Sequence, residues 1–324
     1  MKDMNHNLQK KLSLYWDRFG TLVILILLIF FIALFGPSQF ISPSNLVQIG
    51  IQSSINIIIA CGEFFAILIA GIDLSVGSVM GLVGMITAKL IVLDIMPWYV
   101  AVLIGILAGA LCGIFNGLLI NVTGLHPFVI TLGTQSIFRG ITLIVSNATS
   151  VYGFPQSFKD AMGGWLGDVI PSTILIALIL AAILWFFSSK TVMGRNIYAL
   201  GGNKEAAWFS GIHTKWYTLI VHTLCGVCFG LAGIVYTARI GSAEPLAGQG
   251  YETFAIASAI IGGTSFFGGR GKIPTVVVGG LIIGTINNGL NMLGVSSYYQ
   301  QIVTGALIII AVTVDRLFKG KSAK

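Results

Sequence analysis

Residues 190–215 read KTVMGRNIYALGGNKEAAWFSGIHTK and lie between two long apolar segments. This is the longest polar interval that has both a charge bias and signals of local order. The Gly-Gly pair at 201–202 is a turn signal, and Asn203 can cap a following helix that has Glu205 in its first turn. Gly211 is a typical stop signal. The stretch therefore predicts a short helix, a turn and a second short helix at a membrane surface; a plain solvated loop is the alternative.

The composition of the whole chain excludes a soluble fold. Of its 324 residues, 56% are hydrophobic and 9% are charged, and the mean hydropathy is +0.93. Soluble domains carry roughly 25% charged residues. The apolar runs are long and unbroken, whereas membrane β-barrels show short alternating segments. We therefore expect an all-α, polytopic membrane protein in which residues 1–324 form one transmembrane domain.

About ten apolar segments are long enough to be transmembrane spans. They lie near 21–36, 46–69, 76–93, 98–120, 127–146, 170–188, 217–238, 253–268, 274–294 and 299–315. An even number of spans puts both termini on one side, and 14 of the 18 Lys and Arg residues then fall on that side. Because basic residues gather in cytoplasmic loops, both termini and residues 190–215 are predicted to be cytoplasmic. The net charge of +7 is explained in the same way, so no nucleic-acid binding is expected.

Two apolar segments share a weak internal repeat. Residues 109–117 read GALCGIFNG and residues 280–289 read GLIIGTINNG, with one residue inserted. The predicted spans run in opposite directions, so the match predicts inverted halves, a common transporter plan. Chance similarity between glycine-rich apolar sequences is the alternative.

Two polar breaks interrupt the apolar runs. Residues 70–78 read AGIDLSVGS, where Asp73 is an acid at or near membrane depth. Such acids are costly and usually functional, although Asp73 could also simply cap the next helix. Residues 262–272 form a second break, but Ile273 stands where a nucleotide-binding P-loop needs Ser or Thr. The chain is therefore expected to have no ATPase or other enzymatic activity of its own.

Other deep polar residues have several interpretations. Glu63 and Arg139 could form a structural ion pair or take part in transport. His222 and the thiols of Cys225 and Cys228 are expected to be packing residues, and no metal or cofactor is predicted. Polar residues in or near the spans could line a neutral route or join helices by hydrogen bonds. The candidates for a substrate pathway are Asp73, Ser75, Asn116, Thr131, Gln135, Thr264, Asn287 and Asn288.

Four motifs together resemble a known family. They are GIDLSVGS at 71–78, PFVITLGT at 127–134, the pattern GRxxYAxGGNxxAAxxSGI at 194–212, and IIGGTSxxGGxG at 260–271. The chain resembles the permease subunits of bacterial sugar ABC importers, a group that includes ribose, xylose, arabinose, galactose and allose permeases. The similarity covers nearly the whole chain. The first motif usually opens with two glycines, and here Ala70 takes the first position.

The resemblance implies a subunit rather than a complete transporter. A second permease chain would complete the pore, a separate ABC ATPase would supply energy, and a periplasmic sugar-binding protein would deliver substrate at the bacterial inner membrane. Residues 190–215 would be the cytoplasmic coupling loop that docks on the ATPase. The residues implied in coupling are Gly194, Arg195, Gly201, Gly202, Asn203, Glu205, Ala206, Ala207 and Gly211.

Two other transport functions stay open at the sequence level. A branched-chain amino-acid permease would share the fold, although the motifs at 71–78 and 260–271 favour the sugar group. A proton-coupled secondary transporter would use Glu63, Asp73 or Arg139 as a relay. It would transport without an ATPase and would stop when the proton gradient collapses.

Overall fold

A computed structural model describes residues 2–167 and 169–322, and this part of the chain is mostly helical. The α-helices are α1 (Lys2–Phe35), α2 (Pro43–Leu68), α3 (Val76–Val92), α4 (Trp98–Thr123), α5 (Pro127–Ser146), α6 (Gln156–Met162), α7 (Ser172–Lys190), α8 (Val192–Gly202), α9 (Lys204–Phe209), α10 (Thr214–Ile240), α11 (Tyr251–Ile261), α12 (Ile273–Met292) and α13 (Ser297–Ser322). A 3-10 turn at Ser38–Ile41 joins α1 to α2. The all-α prediction is confirmed.

Four two-residue strands lie in the loops between helices. Strand β1 (Val151–Tyr152) pairs antiparallel with β4 (Ser242–Ala243), and β2 (Trp165–Leu166) pairs antiparallel with β3 (Ile170–Pro171). The first pair joins the loop after α5 to the loop after α10. These short ladders stiffen loops and do not form a sheet layer.

Each predicted span overlaps an apolar helix. Six helices in the described residues (α2, α4, α5, α7, α10 and α12) are long and apolar enough to cross a membrane, and four shorter apolar stretches accompany them at Phe19–Phe35, Val76–Val92, Tyr251–Ile261 and Tyr298–Thr313. The outer face of α4 exposes Leu103, Leu107 and Leu111 at 60%, 61% and 65%, as expected of a lipid-facing helix. The chain is an integral, multi-pass membrane protein.

The span predicted at 253–268 is wrong in its extent. Helix α11 has 11 residues, which at 1.5 Å each cover about 16 Å, roughly half of a bilayer core. It ends because the chain turns at Gly262 and Gly263, where Gly263 has a left-handed φ of 83°. The rest of the predicted span is the loop that leads to α12.

The helix contacts repeat between the two halves of the chain. The contact between α4 and α10 corresponds to the contact between α12 and α2. In the same way, the contact between α3 and α10 corresponds to that between α11 and α2. The α4–α10 and α12–α2 pairs run antiparallel and meet along rows of glycines. A Cβ added at Gly113 would overlap with His222 O, and one added at Gly284 would overlap with Ser53 Oγ. The repeated motif therefore supplies the close helix contact in each half, which supports the predicted inverted repeat.

Equivalent helices are interrupted in the two halves, and the second interruption touches the start of α3. The chain leaves helical structure after α2 and resumes at α3, and it does the same between α10 and α11. Gly77 lies against Gly248 so closely that a Cβ on Gly77 would overlap with Gly248 O. Helix α2 is central, since every residue from Ser53 to Leu68 is buried.

Candidate functional site: a surface helix and a buried polar centre

The predicted helix–turn–helix stands between α7 and α10. Asn203 caps α9 by accepting a hydrogen bond from Ala206 N at 2.9 Å. The helix ends at Phe209, and Gly211 follows with a left-handed φ of 82°, where its N–H donates to Trp208 O at 2.9 Å. Both signals read from the sequence therefore delimit α9.

The Gly-Gly pair does not form the predicted turn. Gly201 and Gly202 are the last residues of α8, and Asn203 alone joins the two helices in an extended conformation. Gly201 is glycine because of a close contact: an added Cβ would overlap with Leu68 O at the end of α2. Gly269 N donates to the same oxygen at 2.8 Å. The end of α8, the end of α2 and the second glycine-rich break therefore touch at one point.

Most of helix α9 is exposed, and its exposed side chains include two large aromatic rings. Ala207 is buried against the protein, whereas Glu205 and Ala206 are exposed. Trp208 and Phe209 are exposed at 61% and 80%, and their ring centroids lie 5.0 Å apart. Neighbouring exposed aromatic side chains outside a membrane span are typical of a protein-docking surface.

The remaining predicted coupling residues lie on the first turn of α8. Gly194 is buried, and its N–H is bonded to Thr191 Oγ1 at 3.0 Å. Arg195 is exposed and lines a cavity together with Lys190 and Lys272. Tyr198 on the same helix donates to Gly271 O at 2.8 Å, and burial raises the pKa of its phenol.

Asp73 is the centre of a buried hydrogen-bond network. Its Oδ1 accepts from Ser75 N at 3.0 Å and from Ser75 Oγ at 2.5 Å. Its Oδ2 lies 3.1 Å from His222 Nδ1 and 3.4 Å from Asn116 Nδ2, and Asn116 also donates to Ser75 Oγ at 2.9 Å. The network joins the interruption after α2 to α4 and α10, and the N-cap of α3 is Ser75 rather than Asp73.

Two further side chains hold the backbone of this interruption. Glu63 Oε1 accepts from Asp73 N at 3.1 Å. Thr131 Oγ1 accepts from Leu74 N at 3.0 Å and can donate to Ile72 O at 3.1 Å. Backbone polar groups outside regular helices must find such partners in a membrane protein. Four predicted pathway residues (Asp73, Ser75, Asn116 and Thr131) thus lie together.

Glu63 and Arg139 do not form the ion pair considered from the sequence. Arg139 instead donates to three carbonyl oxygens: Pro245 O at 2.8 Å, Ala247 O at 2.9 Å and Gly77 O at 3.0 Å. It therefore ties the start of α3 to the loop before α11.

The other predicted pathway residues lie apart from this network. Asn288 on α12 exchanges two 3.0 Å hydrogen bonds with Asn45 on α2, which is the role of a polar link between helices. Asn287, the residue before Asn288, is half-buried, and so is Gln135 on α5. Thr264 is buried in the second glycine-rich break.

Sequence reasoning missed the partners of Asp73. His222, expected to be a packing residue, places its Nδ1 3.1 Å from Asp73 Oδ2, a buried hydrogen-bond contact across 149 positions of sequence. Asp73, His222 and Cys225 also place one possible metal-ligand atom each within 4.8 Å of one another. We interpret the group as a hydrogen-bonded pair, because Asp73 already accepts several bonds and Cys225 Sγ donates to Gly62 O at 3.2 Å. The sequence carried no signal for this contact, because it depends on the close packing of α4 and α10, where Gly113 lies against His222.

This chain is a multi-pass helical membrane protein with broken helices and a buried polar cluster, an arrangement typical of membrane transport proteins. It belongs to the permease family described as "Branched-chain amino acid transport system / permease component", whose model matches residues 45–312.

Curated relatives match almost the full chain. It is 55% identical over 305 residues to the D-allose transport system permease protein AlsC of Escherichia coli K12, covering 94% of this chain and 93% of the relative. It is 42% identical to the ribose import permease protein RbsC of Bacillus subtilis 168, covering 93% of both. It is 37% identical to the galactose/methyl galactoside import permease protein MglC of Salmonella typhimurium LT2, covering 96% and 97%. No solved structure gives a significant match.

Proposed function

We propose that this chain is the permease subunit of an ATP-dependent importer that moves a monosaccharide, a pentose or hexose, into a bacterial cell. The observation that carries the proposal is the 55% identity to a D-allose permease over nearly the whole of both chains. The family description names branched-chain amino acids, but the relatives quoted above are named for sugars. We therefore favour a sugar over an amino acid, with residues 1–324 as one permease domain.

Energy enters, in this proposal, through α9. The capped six-residue helix and its exposed aromatic pair form a stiff projection that a cleft on a separate ABC ATPase can hold. Glu205 adds a charge to the exposed face, and buried Ala207 keeps the helix close to the protein. The chain itself is non-catalytic, and ATP hydrolysis belongs to the partner.

A push on α9 has a direct route to the polar centre. Asn203 is the only residue between α8 and α9, and Gly201 packs closely against Leu68 at the end of α2. The interruption that carries Asp73 begins immediately after that contact. We infer that movement of α8 shifts the interruption, and with it the packing of α3, α4 and α10 around Asp73.

The sugar pathway is proposed to lie between two copies of this chain. Helix α5 is apolar but mostly unburied in one copy, with Phe128, Leu132 and Ile137 exposed at 42%, 47% and 49%. Gln135 on this helix is the pathway candidate best placed to reach a pore between copies. The buried residues Asp73, Ser75, Asn116 and Thr131 would shape that pathway from behind its surface.

We place the chain in the bacterial inner membrane with both termini in the cytoplasm. The distribution of basic residues supports this orientation. The loop between α5 and α7 then faces the periplasm, and it exposes Tyr152 at 63% and Trp165 at 43%. A periplasmic sugar-binding protein is the partner proposed for this side.

Docking of the ATPase tests the proposal. The double variant Trp208→Ala/Phe209→Ala should fold normally but lose co-purification with its ATPase, together with ATP hydrolysis stimulated by the sugar-loaded binding protein. Phe186→Ala is the matched control, because Phe186 is 60% exposed on α7 and lies outside the loop. Retained docking in the double variant, or equal loss in the control, would refute the assignment of α9.

A further inference from the structure

A cationic cavity opens where α7 ends and α12 begins. Its volume is about 510 Å³, and three basic side chains line it: Lys190, Arg195 and Lys272. All three are exposed, and none forms an ion pair within the part of the chain that the structure describes. The lining residues include no acid. Three like charges around one cavity favour an anionic occupant.

An apolar groove continues from this cavity along α7. It has a volume of about 280 Å³ and is lined by residues that include Leu178, Ala181, Ala182 and Val277. Trp185, Ile273 and Pro274 line both spaces, so the groove and the cavity adjoin. From Leu178 to Trp185 the helix rises by about 10 Å, which matches a substantial part of an acyl chain.

The order of these two spaces fits the membrane. Helix α7 is long and apolar enough to span the bilayer, and Lys190 is its last residue. The charged cavity therefore lies at the depth of lipid headgroups, and the groove lies within the hydrocarbon layer. Trp185 stands at the junction, the position that Trp prefers in membrane proteins. The N-terminus of α12 also lies in the cavity wall and favours negative charge.

We propose that this cavity and groove bind an anionic phospholipid such as phosphatidylglycerol. Its phosphate lies among Lys190, Arg195 and Lys272, and one acyl chain lies in the groove between α7 and α12. A soluble anion would use the cavity but not the groove, and a zwitterionic lipid would bring an amine into a site with three cations. The proposal does not depend on the solute that is transported.

The site includes two basic residues of the proposed coupling loop, so a bound lipid would act on that loop. Arg195 belongs to α8, and Lys190 ends α7 just before it. A bound lipid would join α8 to the end of α7 and the start of α12. It would thereby link the movement of α8 to these two helices when α9 is pushed.

Quenching of Trp185 by brominated lipids tests the site directly. The full chain is placed in nanodiscs of zwitterionic phosphatidylcholine, and phosphatidylglycerol brominated on its acyl chains is added in steps. The Trp185 signal is the difference between the wild-type protein and Trp185→Phe. We expect brominated phosphatidylglycerol to quench it at a several-fold lower mole fraction than brominated phosphatidylcholine.

Charge variants distinguish the site from a general surface effect. Each neutralised cavity cation should lower the preference for phosphatidylglycerol by about fivefold, so Lys190→Gln/Arg195→Gln/Lys272→Gln should abolish it. The control Lys204→Gln/Lys215→Gln changes two exposed cations outside the cavity and should keep it. The variant Lys190→Arg/Lys272→Arg should also keep it, which separates loss of charge from misfolding. Equal quenching by the two lipids, or equal loss in the control, would overturn the proposal.

Discussion

A single residue, Gly201, sets how closely α8 approaches the end of α2. A Cβ at this position would overlap with Leu68 O and would meet Gly269 N at 2.8 Å. We predict that Gly201→Ala lowers the free energy of unfolding by about 1–3 kcal/mol, as overpacking commonly does. A lower midpoint of thermal unfolding in detergent would show it, and ATP-driven uptake should fall with it.

The neighbouring glycine provides the control. A Cβ added to Gly202 would meet nothing within 4 Å, so Gly202→Ala should leave the unfolding midpoint nearly unchanged. If both variants unfolded at the wild-type temperature, the close contact between α8 and α2 would not exist as described.

Both carboxylate oxygens of Asp73 accept hydrogen bonds, and these bonds hold the interruption after α2. In Asp73→Asn, an amide group must face either the Ser75 donors or the His222 and Asn116 side. A buried donor left without an acceptor costs about 1–3 kcal/mol, so we predict a loss of stability of that size. Thermal unfolding followed by circular dichroism would measure it.

Asp94→Asn is the matched control for Asp73. Asp94 is exposed and has a left-handed φ of 50°, a conformation that Asn also tolerates. This variant should unfold like the wild type. Equal stability of both variants would mean that the network around Asp73 contributes nothing to the fold.

At the scale of single residues, the sequence showed which polar residue is energetically costly to bury but not which residues it contacts. Asp73 was found because an acid within apolar sequence is expensive, whatever surrounds it. Its partner His222 lies 149 positions away, and Arg139 binds carbonyl oxygens that no side-chain pattern reveals. Such contacts follow from how the helices cross, which residue types alone do not fix.

At the scale of elements, α9 is too short to be stable without its cap. The Asn203 side chain accepts from Ala206 N, and loss of such a cap costs about 0.5–2 kcal/mol. We predict that Asn203→Ala frays the helix, so that its amides exchange hydrogen with solvent several-fold faster. Mass spectrometry of peptides that cover residues 204–211 would detect the change.

Asn203→Asp tests whether the cap itself matters. Asp caps helices as well as Asn does and adds a charge that favours the helix N-terminus. Slow exchange should therefore return in Asn203→Asp. Fast exchange in both variants would assign the effect to some other role of the Asn203 side chain.

Element boundaries were predictable where local chemistry fixes them. Asn203 and Gly211 delimit α9 as the sequence indicated, because a cap and a left-handed stop act on adjacent backbone. The extent of α11 was not predictable, since its apolar sequence continues to Phe267 while the backbone turns at Gly262. Hydropathy counts apolar residues and does not detect where a short helix stops.

At the scale of the whole molecule, the two halves of the chain repeat the same helix contacts, which supports an inverted repeat. In the sequence this arrangement appears only as a weak glycine-rich repeat, because any small residues at the right spacing allow the same close packing of helices. The class of protein was evident from composition and motifs. The route of the sugar and the second copy stay predictions, since they depend on surfaces that one chain leaves open.

Uptake by proteoliposomes tests the central claim, that the chain moves a sugar when an ATPase acts on α9. Vesicles would contain the chain with or without its ATPase and binding protein, and a panel of labelled pentoses and hexoses would be offered. We predict uptake that requires ATP and all three components and that is lost in Glu205→Lys and Gly211→Trp. Uptake by the chain alone, driven by a proton gradient and unaffected by these variants, would contradict the account.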